Sequence, residues 1–236
     1  MSSVSQPGAQ YKTAMQKMNP KSLLENCDTL MLDMDGTVLD LAFDNYVWLE
    51  LMPQKYAEQT GISHDEAREF LYSQARSVQG KLDWYCVDHW GEKLGLDIME
   101  IHRSVDDRIG YLPGARKFLE TVSERNIRLL LVTNSHRDTL AIKSEVTGVA
   151  DFFDHIYTSH DIGHAKEHQP FWQALQDAES FDPGRTLFID DNISVLRSAQ
   201  QFGVEMLLTV TRPDTSAPRR AKSDFTGVEG VVDLLA

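Results

Sequence analysis

The stretch Thr29-Leu-Met-Leu-Asp33-Met-Asp35-Gly36-Thr37 constrains this chain more than any other. A short apolar run that stops on two carboxylates and a glycine reads as a buried strand ending in a tight turn. Acids two residues apart at such a strand tip repel each other and lose hydration. A divalent cation removes both penalties. Beyond the strand end, the alternation of side chains gives way to a turn, so both carboxylates can face one pocket. Gly36 permits that turn, and Thr37 can cap exposed backbone groups.

Four more strand-like runs follow, at residues 127–132, 155–158, 186–189 and 206–210. Helical patterns separate them, at residues 113–124, 137–147, 169–178 and 194–202; Gly148 and Gly203 end the second and fourth. Strands alternating with helices predict an α/β fold, a Rossmann-like parallel sheet with helices on both faces. Its ligand is expected beyond the carboxyl ends of the strands. Residues 41–108 break this rhythm and contain no strand pattern. Ser63-His-Asp-Glu66 is a capping box opening one helix there, and helices at 43–51 and 84–94 flank it. The expected organisation is a loose arm over 1–20, a core built from 21–40 and 109–236, and a helical cap inserted at 41–108. A turn of helix is expected at 13–18 within the arm. The basic, proline-containing segment 211–222 reads as a solvated loop.

Three further segments carry chemistry. Asp190 and Asp191 end a second apolar strand, so four carboxylates gather at two strand tips and form an oxygen-rich site suited to Mg²⁺. Asn192 there also suits a helix N-cap. Thr133-Asn134-Ser135 ends another strand; its hydroxyl and backbone amides can hold phosphate oxygens, or simply cap a helix. Lys166 follows a strand and precedes a helix.

The chain has 23 basic and 36 acidic residues, a formal charge of −13, which argues against a nucleic-acid polymer as partner. Two cysteines, Cys27 and Cys86, cannot make a disulfide framework or a cysteine-based zinc site, and read as reduced thiols of a cytoplasmic protein. No run approaches the roughly 18 apolar residues of a membrane helix. The opening residues lack the apolar centre of a secretory signal. No membrane partner is expected.

Taken in this order, the motifs at Asp33–Asp40, Thr133, Lys166 and Asp190–Asp191 resemble those of the haloacid dehalogenase-like (HAD) hydrolases, over residues 29–210. The resemblance implies the HAD fold with a cap inserted after the first motif. It implies Asp33 as a nucleophile forming an aspartyl-phosphate, and Asp35 as general acid and then base. Thr133 and the Asn134 amide would hold phosphate oxygens, and Lys166 would steady the charge. The implied cofactor is Mg²⁺, held by the Asp33 carboxylate, the Asp35 carbonyl and Asp191, with Asp190 bound directly or through water. Asp35 favours phosphate esters over halides, because dehalogenating members generally lack this second acid. Glu167 departs from the pattern, since many capped members carry proline after the lysine.

The aromatic segments 39–48 and 82–90, with Thr133–His136 and Lys166-Glu167, look closely similar to bacterial HAD-type GMP/IMP 5′-nucleotidases. That resemblance implies hydrolysis of a purine mononucleotide, by a monomer or weak dimer. Gly36 and Asn134 are expected at the substrate; because the first cap segment follows the nucleophile so closely and both cap segments are rich in aromatics, Phe43, Trp84 and His89 are expected as base or ribose contacts. Taken singly, Trp48, Trp84 and Trp90 read more readily as cap core. The rival readings are a phosphatase or phosphomutase acting on a sugar phosphate or phosphoglycolate, and a non-catalytic phosphate-binding module.

Overall fold

Asn19 and Pro20 start a helix where the sequence suggests a loose arm. The computed structural model describes residues 19–236, so most of the expected arm, with its turn at 13–18, lies outside the described residues. The Asn19 side chain accepts a hydrogen bond from Ser22 N at 2.8 Å, and proline occupies the first turn of α1 (Pro20–Asn26). Both are N-terminal helix signals. Burial of Leu23 and Leu24 anchors the helix to the domain.

Five strands appear where the apolar runs predict them, within a residue at either end: β1 (Thr29–Leu32), β2 (Arg128–Thr133), β3 (His155–Thr158), β4 (Thr186–Asp190) and β5 (Met206–Val210). A sixth, β6 (Thr226–Val228), has no counterpart in the sequence reading, because three residues are too few to show a period. Among the described residues these form one parallel sheet in the order β3-β2-β1-β4-β5-β6. β1 is central, pairing Leu32 with both Leu131 and Ile189. All four of its residues are buried, as expected of a parallel strand covered on both faces. Chain order reverses direction at β1, where such sheets open a crevice at their carboxyl ends.

Between β1 and β2 the described chain is helical: α2 (Ala42–Tyr46), a π-helical turn at Val47–Leu51, α3 (Met52–Thr60), α4 (His64–Val78), α5 (Val87–Leu94) and α6 (Ile98–Arg103). The capping box is formed, with Glu66 N donating to Ser63 Oγ at 3.3 Å and Ser63 N to Glu66 Oε2 at 2.9 Å. The helix expected over 84–94 is split. Trp84 and Tyr85 lie in a 3-10 turn, Leu82–Tyr85, and extended Cys86 caps α5. The two ends of the insert are tied side by side, by Asp40 N to Gly110 O at 2.9 Å and Leu112 N to Val38 O at 3.0 Å.

The other helices are α7 (Ala115–Ser123), α8 (Arg137–Thr147), α9 (Ser159–Ile162), α10 (Gln169–Ala178) and α11 (Ile193–Phe202). Strand alternation divides the core. Leu30, Leu32, Leu131 and Ile189 pack with Phe118 and Leu119 of α7, and this cluster continues to Phe43, Val47 and Trp90 of the insert. Met31, Val132 and Phe188 face the other way, onto Phe171, Trp172 and Leu175 of α10 and Leu196 of α11. Among the described residues no helix is long and apolar enough to cross a membrane.

Trp172 is fully buried, edge-on to Phe188 at 5.2 Å, and its indole N–H donates to the Lys166 carbonyl at 2.9 Å. Trp172→Ala is expected to lower unfolding free energy by about 3–5 kcal/mol, measured by urea denaturation.

Candidate active site

The carboxyl ends of β1, β2 and β4 converge on Lys166. Asp33 follows β1, and its backbone N–H donates to Ile189 O of β4 at 3.0 Å. Lys166 Nζ donates to Asp33 Oδ1 at 2.6 Å, Asp190 Oδ2 at 2.8 Å and Val132 O at 2.9 Å. Its backbone N–H donates to Asn134 Oδ1 at 3.0 Å. The Asn134 side chain therefore holds the lysine loop. Thr133 Oγ1 accepts from Ser135 N at 3.0 Å, which leaves its hydroxyl hydrogen available to a ligand.

Asp33, Asp190 and Asp191 bring carboxylate oxygens within 4.8 Å of one another, and all three residues are buried. Asp190 has both oxygens engaged: Oδ1 accepts from Asn192 N at 2.7 Å and Oδ2 from Lys166. Asp191 Oδ2 pairs with Arg220 Nη2 at 2.9 Å. Among the described residues, Asp33 Oδ2 and Asp191 Oδ1 have no hydrogen-bond partner, so these two side chains retain the most ligand capacity. Burial pushes Asp33 up to about 7, against the opposing Lys166 charge and with reinforcement from Asp190 and Asp35. It pushes Asp191 up to about 7, with Asp33 adding and Arg220 opposing. It pushes Asp190 up to about 6 despite Lys166. Hard oxygen donors in negative excess, close enough to share one ion, fit a cation of the magnesium type.

Asp35 stands apart from that trio. Its Oδ1 accepts from Lys143 Nζ at 2.7 Å, and the same ammonium reaches both oxygens of Asp44 at 2.8 Å. Burial pushes Asp35 up to about 6; Asp44 adds to the shift and Lys143 opposes it. Burial alone would lower Lys143, but the two carboxylates outweigh it and hold the ammonium above its ordinary range. Sequence reasoning missed Lys143. A signal was present: Thr139, Ile142 and Lys143 are the buried residues of α8, so the lysine lies on the inward stripe at i+4 from Thr139.

Gly36 has φ +83°, and a Cβ there would lie 2.8 Å from the Asp191 carboxyl carbon and 2.9 Å from Pro213 Cβ. Its N–H donates to Leu39 O at 2.7 Å and so serves the turn. The segment 211–222, expected to be a solvated loop, in part lines the site. Pro213 O accepts from Leu41 N at 3.0 Å, Asp214 from Asn45 Nδ2 at 2.6 Å, and Arg220 reaches Asp191. Of these three contacts only Arg220 to Asp191 pairs opposite charges; the other two are hydrogen bonds to residues of the insert.

Of the insert residues singled out, Phe43 is 2% exposed. Its ring packs edge-on to His102 at 5.8 Å and beneath Lys143 Nζ at 5.6 Å instead of facing open space. Trp84 is half-buried, and its carbonyl accepts from Trp90 Nε1 at 3.0 Å. His89 lies edge-on to Trp90 at 5.4 Å, and its Nε2 is buried without a partner among the described residues. Tyr85, not anticipated, reaches across to the sheet side: its hydroxyl donates to Glu167 Oε1 at 2.5 Å, while Glu167 Oε2 accepts from Asn134 Nδ2 at 3.1 Å. Glu167, the departure from the expected proline, thus fastens the insert to the lysine loop.

Residues 30–209 match the family described as haloacid dehalogenase-like hydrolase. The chain belongs to that family. Hydrolases of this family typically use a divalent metal, in keeping with the carboxylate trio. The chain is 41% identical over 191 residues to the GMP/IMP nucleotidase YrfG of Escherichia coli K12, covering 81% of this chain and 86% of that one. It is 26% identical to the pyrophosphatase PpaX of Oceanobacillus iheyensis, over 88% and 94% of the two chains. Its fold is similar to that of an HAD phosphatase from Thermococcus onnurineus, with TM-score 0.72 and 21% identity over 88% and 95%.

The raised carboxyl pKa values fix the sign of a pH effect. Without metal, folded Asp33, Asp190 and Asp191 hold protons that the unfolded chain has released, so stability falls as pH rises from about 4 to about 7. Metal requires the ionised acids, so the stabilisation it confers grows over the same window. Melting temperatures measured in EDTA and in Mg²⁺ across this range are expected to diverge as pH rises.

Proposed function

We propose that this hydrolase is a Mg²⁺-dependent phosphatase that cleaves purine nucleoside 5′-monophosphates, GMP and IMP, through an aspartyl-phosphate on Asp33. The reading rests above all on two aspartates leaving one strand, Asp33 buried and Asp35 half-buried, each held by its own lysine: Asp33 by Lys166 and Asp35 by Lys143. The nucleotide assignment is supported by the 41% identity with a protein named GMP/IMP nucleotidase.

The residues divide the work. Asp33 has one oxygen tied to Lys166, which leaves the other to attack phosphorus. The phosphorus–ester bond breaks, and Asp35, protonated, gives its proton to the departing 5′-oxygen. As a carboxylate, Asp35 then takes a proton from the water that attacks the aspartyl-phosphate, releasing phosphate and restoring Asp33. A carboxyl group pushed up to about 6 suits both halves of that cycle. Asp44 and Lys143 hold Asp35 in place. Thr133 and the Asn134 amide receive phosphate oxygens, and Lys166 offsets the charge between nucleophile and phosphate. Asp33, Asp191 and the Asp35 carbonyl would hold Mg²⁺, with Asp190 bound directly or through water, and the ion would supply positive charge beside the phosphate dianion. The helical segment 41–108 acts as the cap, with Trp84 and His89 meeting base or ribose and Phe43 supporting Lys143 from beneath.

A panel of GMP, IMP, sugar phosphates, phosphoglycolate, pyrophosphate and p-nitrophenyl phosphate, read by released phosphate in Mg²⁺, tests the assignment. GMP and IMP are expected to show the highest kcat/KM. A sugar phosphate used better than either nucleotide contradicts the nucleotidase reading. Asp35→Asn is expected to lower kcat by roughly 10²–10⁴-fold, and Asp33→Asn or EDTA to reduce turnover to background.

A further inference from the structure

A second cluster of metal-ligating side chains lies where the insert meets the sheet side, outside the carboxylate trio. Cys86, which caps α5, faces His136, which precedes α8, and His160 of α9. One ligand atom from each lies within 4.8 Å of the others. The two imidazole rings stand edge to face, 4.5 Å apart. His160 Nε2 is buried and has no hydrogen-bond partner among the described residues, an arrangement that costs free energy unless a ligand fills it.

The surrounding acids are placed as a histidine–metal centre requires. Asp138 Oδ2 lies 3.6 Å from His136 Nδ1, and Asp88 Oδ2 lies 3.9 Å from His136 Nε2. His136 Nδ1 accepts from Asp138 N at 3.4 Å, so ligation through Nε2 requires the ring proton to move to Nδ1, on the side of the Asp138 carboxylate. Exposed Asp88 is within reach as a fourth ligand.

We propose that Cys86, His136 and His160 form a site for a borderline-soft divalent cation, zinc above all, that ties the insert to the sheet domain. One thiolate and two imidazoles suit zinc and do not suit magnesium, so this site and the carboxylate trio select different ions. On binding, the Cys86 thiol loses its proton to solvent. Cys86 adjoins Tyr85, whose hydroxyl reaches Glu167, and His136 lies three residues beyond Thr133. An ion here fastens the closed arrangement over the active site, and zinc therefore slows turnover wherever the insert must open for product to leave. This last consequence rests on the phosphatase reading; ion binding does not.

Cobalt(II), a coloured substitute for zinc, is titrated into the full-length protein in saturating Mg²⁺. The readout is the thiolate-to-cobalt absorption in the near ultraviolet. Wild type and Cys27→Ser are expected to develop the band and to lose it when zinc is added. Cys86→Ser is expected to show none, and His160→Gln to bind about tenfold more weakly or worse. No band in wild type, or a band that persists in Cys86→Ser, overturns the site whatever the activity. In GMP hydrolysis, zinc is expected to slow wild type but not Cys86→Ser. Equal inhibition of both assigns zinc's effect to the carboxylate trio and overturns the closing role.

Discussion

Asp33, Asp190 and Asp191 meet in a buried space that Lys166 and Arg220 neutralise only in part. Two like charges about 4 Å apart repel by about 4 kcal/mol at an effective dielectric constant near 20. Three carboxylates in such a space stay together because the surrounding fold leaves them nowhere else to go. β1 and β4 are paired through four residues, and their tips deliver Asp33 and Asp190 side by side. Gly36 adds to the compression, since any side chain there would collide with Asp191. The fold thus spends packing energy on a concentration of negative charge, and a divalent cation is the species that returns it.

The lysines distribute that charge between two tasks. Lys166 donates to Asp33 and Asp190 and has its third hydrogen on a backbone carbonyl, so its position is over-determined. Lys143 performs the equivalent service for Asp35, and by sharing itself with Asp44 it also fastens the first helix of the insert to α8. Tyr85 to Glu167 and Asn45 to Asp214 add two more ties between the insert and the rest. The groups proposed to carry the chemistry are therefore bound into the same contacts that hold the insert to the sheet domain.

Much of this was legible before any coordinates. Short apolar runs marked β1, β2, β4 and β5, because strands buried on both faces leave a near-continuous hydrophobic signature, whereas the partly exposed edge strand β3 was marked by its β-prone residues. The Asp33 and Thr133 motifs and the Asp190–Asp191 pair were found because each sits at the end of such a run; Lys166 was singled out by its place between a strand and a helix, and the structure sets it in the loop between α9 and α10. What escaped depends on long-range placement. β6 is too short to carry a pattern. Lys143 looked like an ordinary helical lysine until α8 turned it onto Asp35, 108 positions away. The segment 211–222 looked solvated because its composition is polar; its attachment to Asp191, Asn45 and Leu41 comes from partners distant in sequence. The cysteine count was read as excluding a cysteine-based zinc site, because the histidines facing Cys86 come from different elements that only the fold unites.

The most direct test of this charge balance is a crystal structure of the protein grown with Mg²⁺. A single ion bonded to carboxylate oxygens of Asp33 and Asp191, with Lys166 still on Asp33 and Asp190, is the predicted result. Carboxylates splayed apart with no ion between them, or magnesium bound only elsewhere, would contradict it.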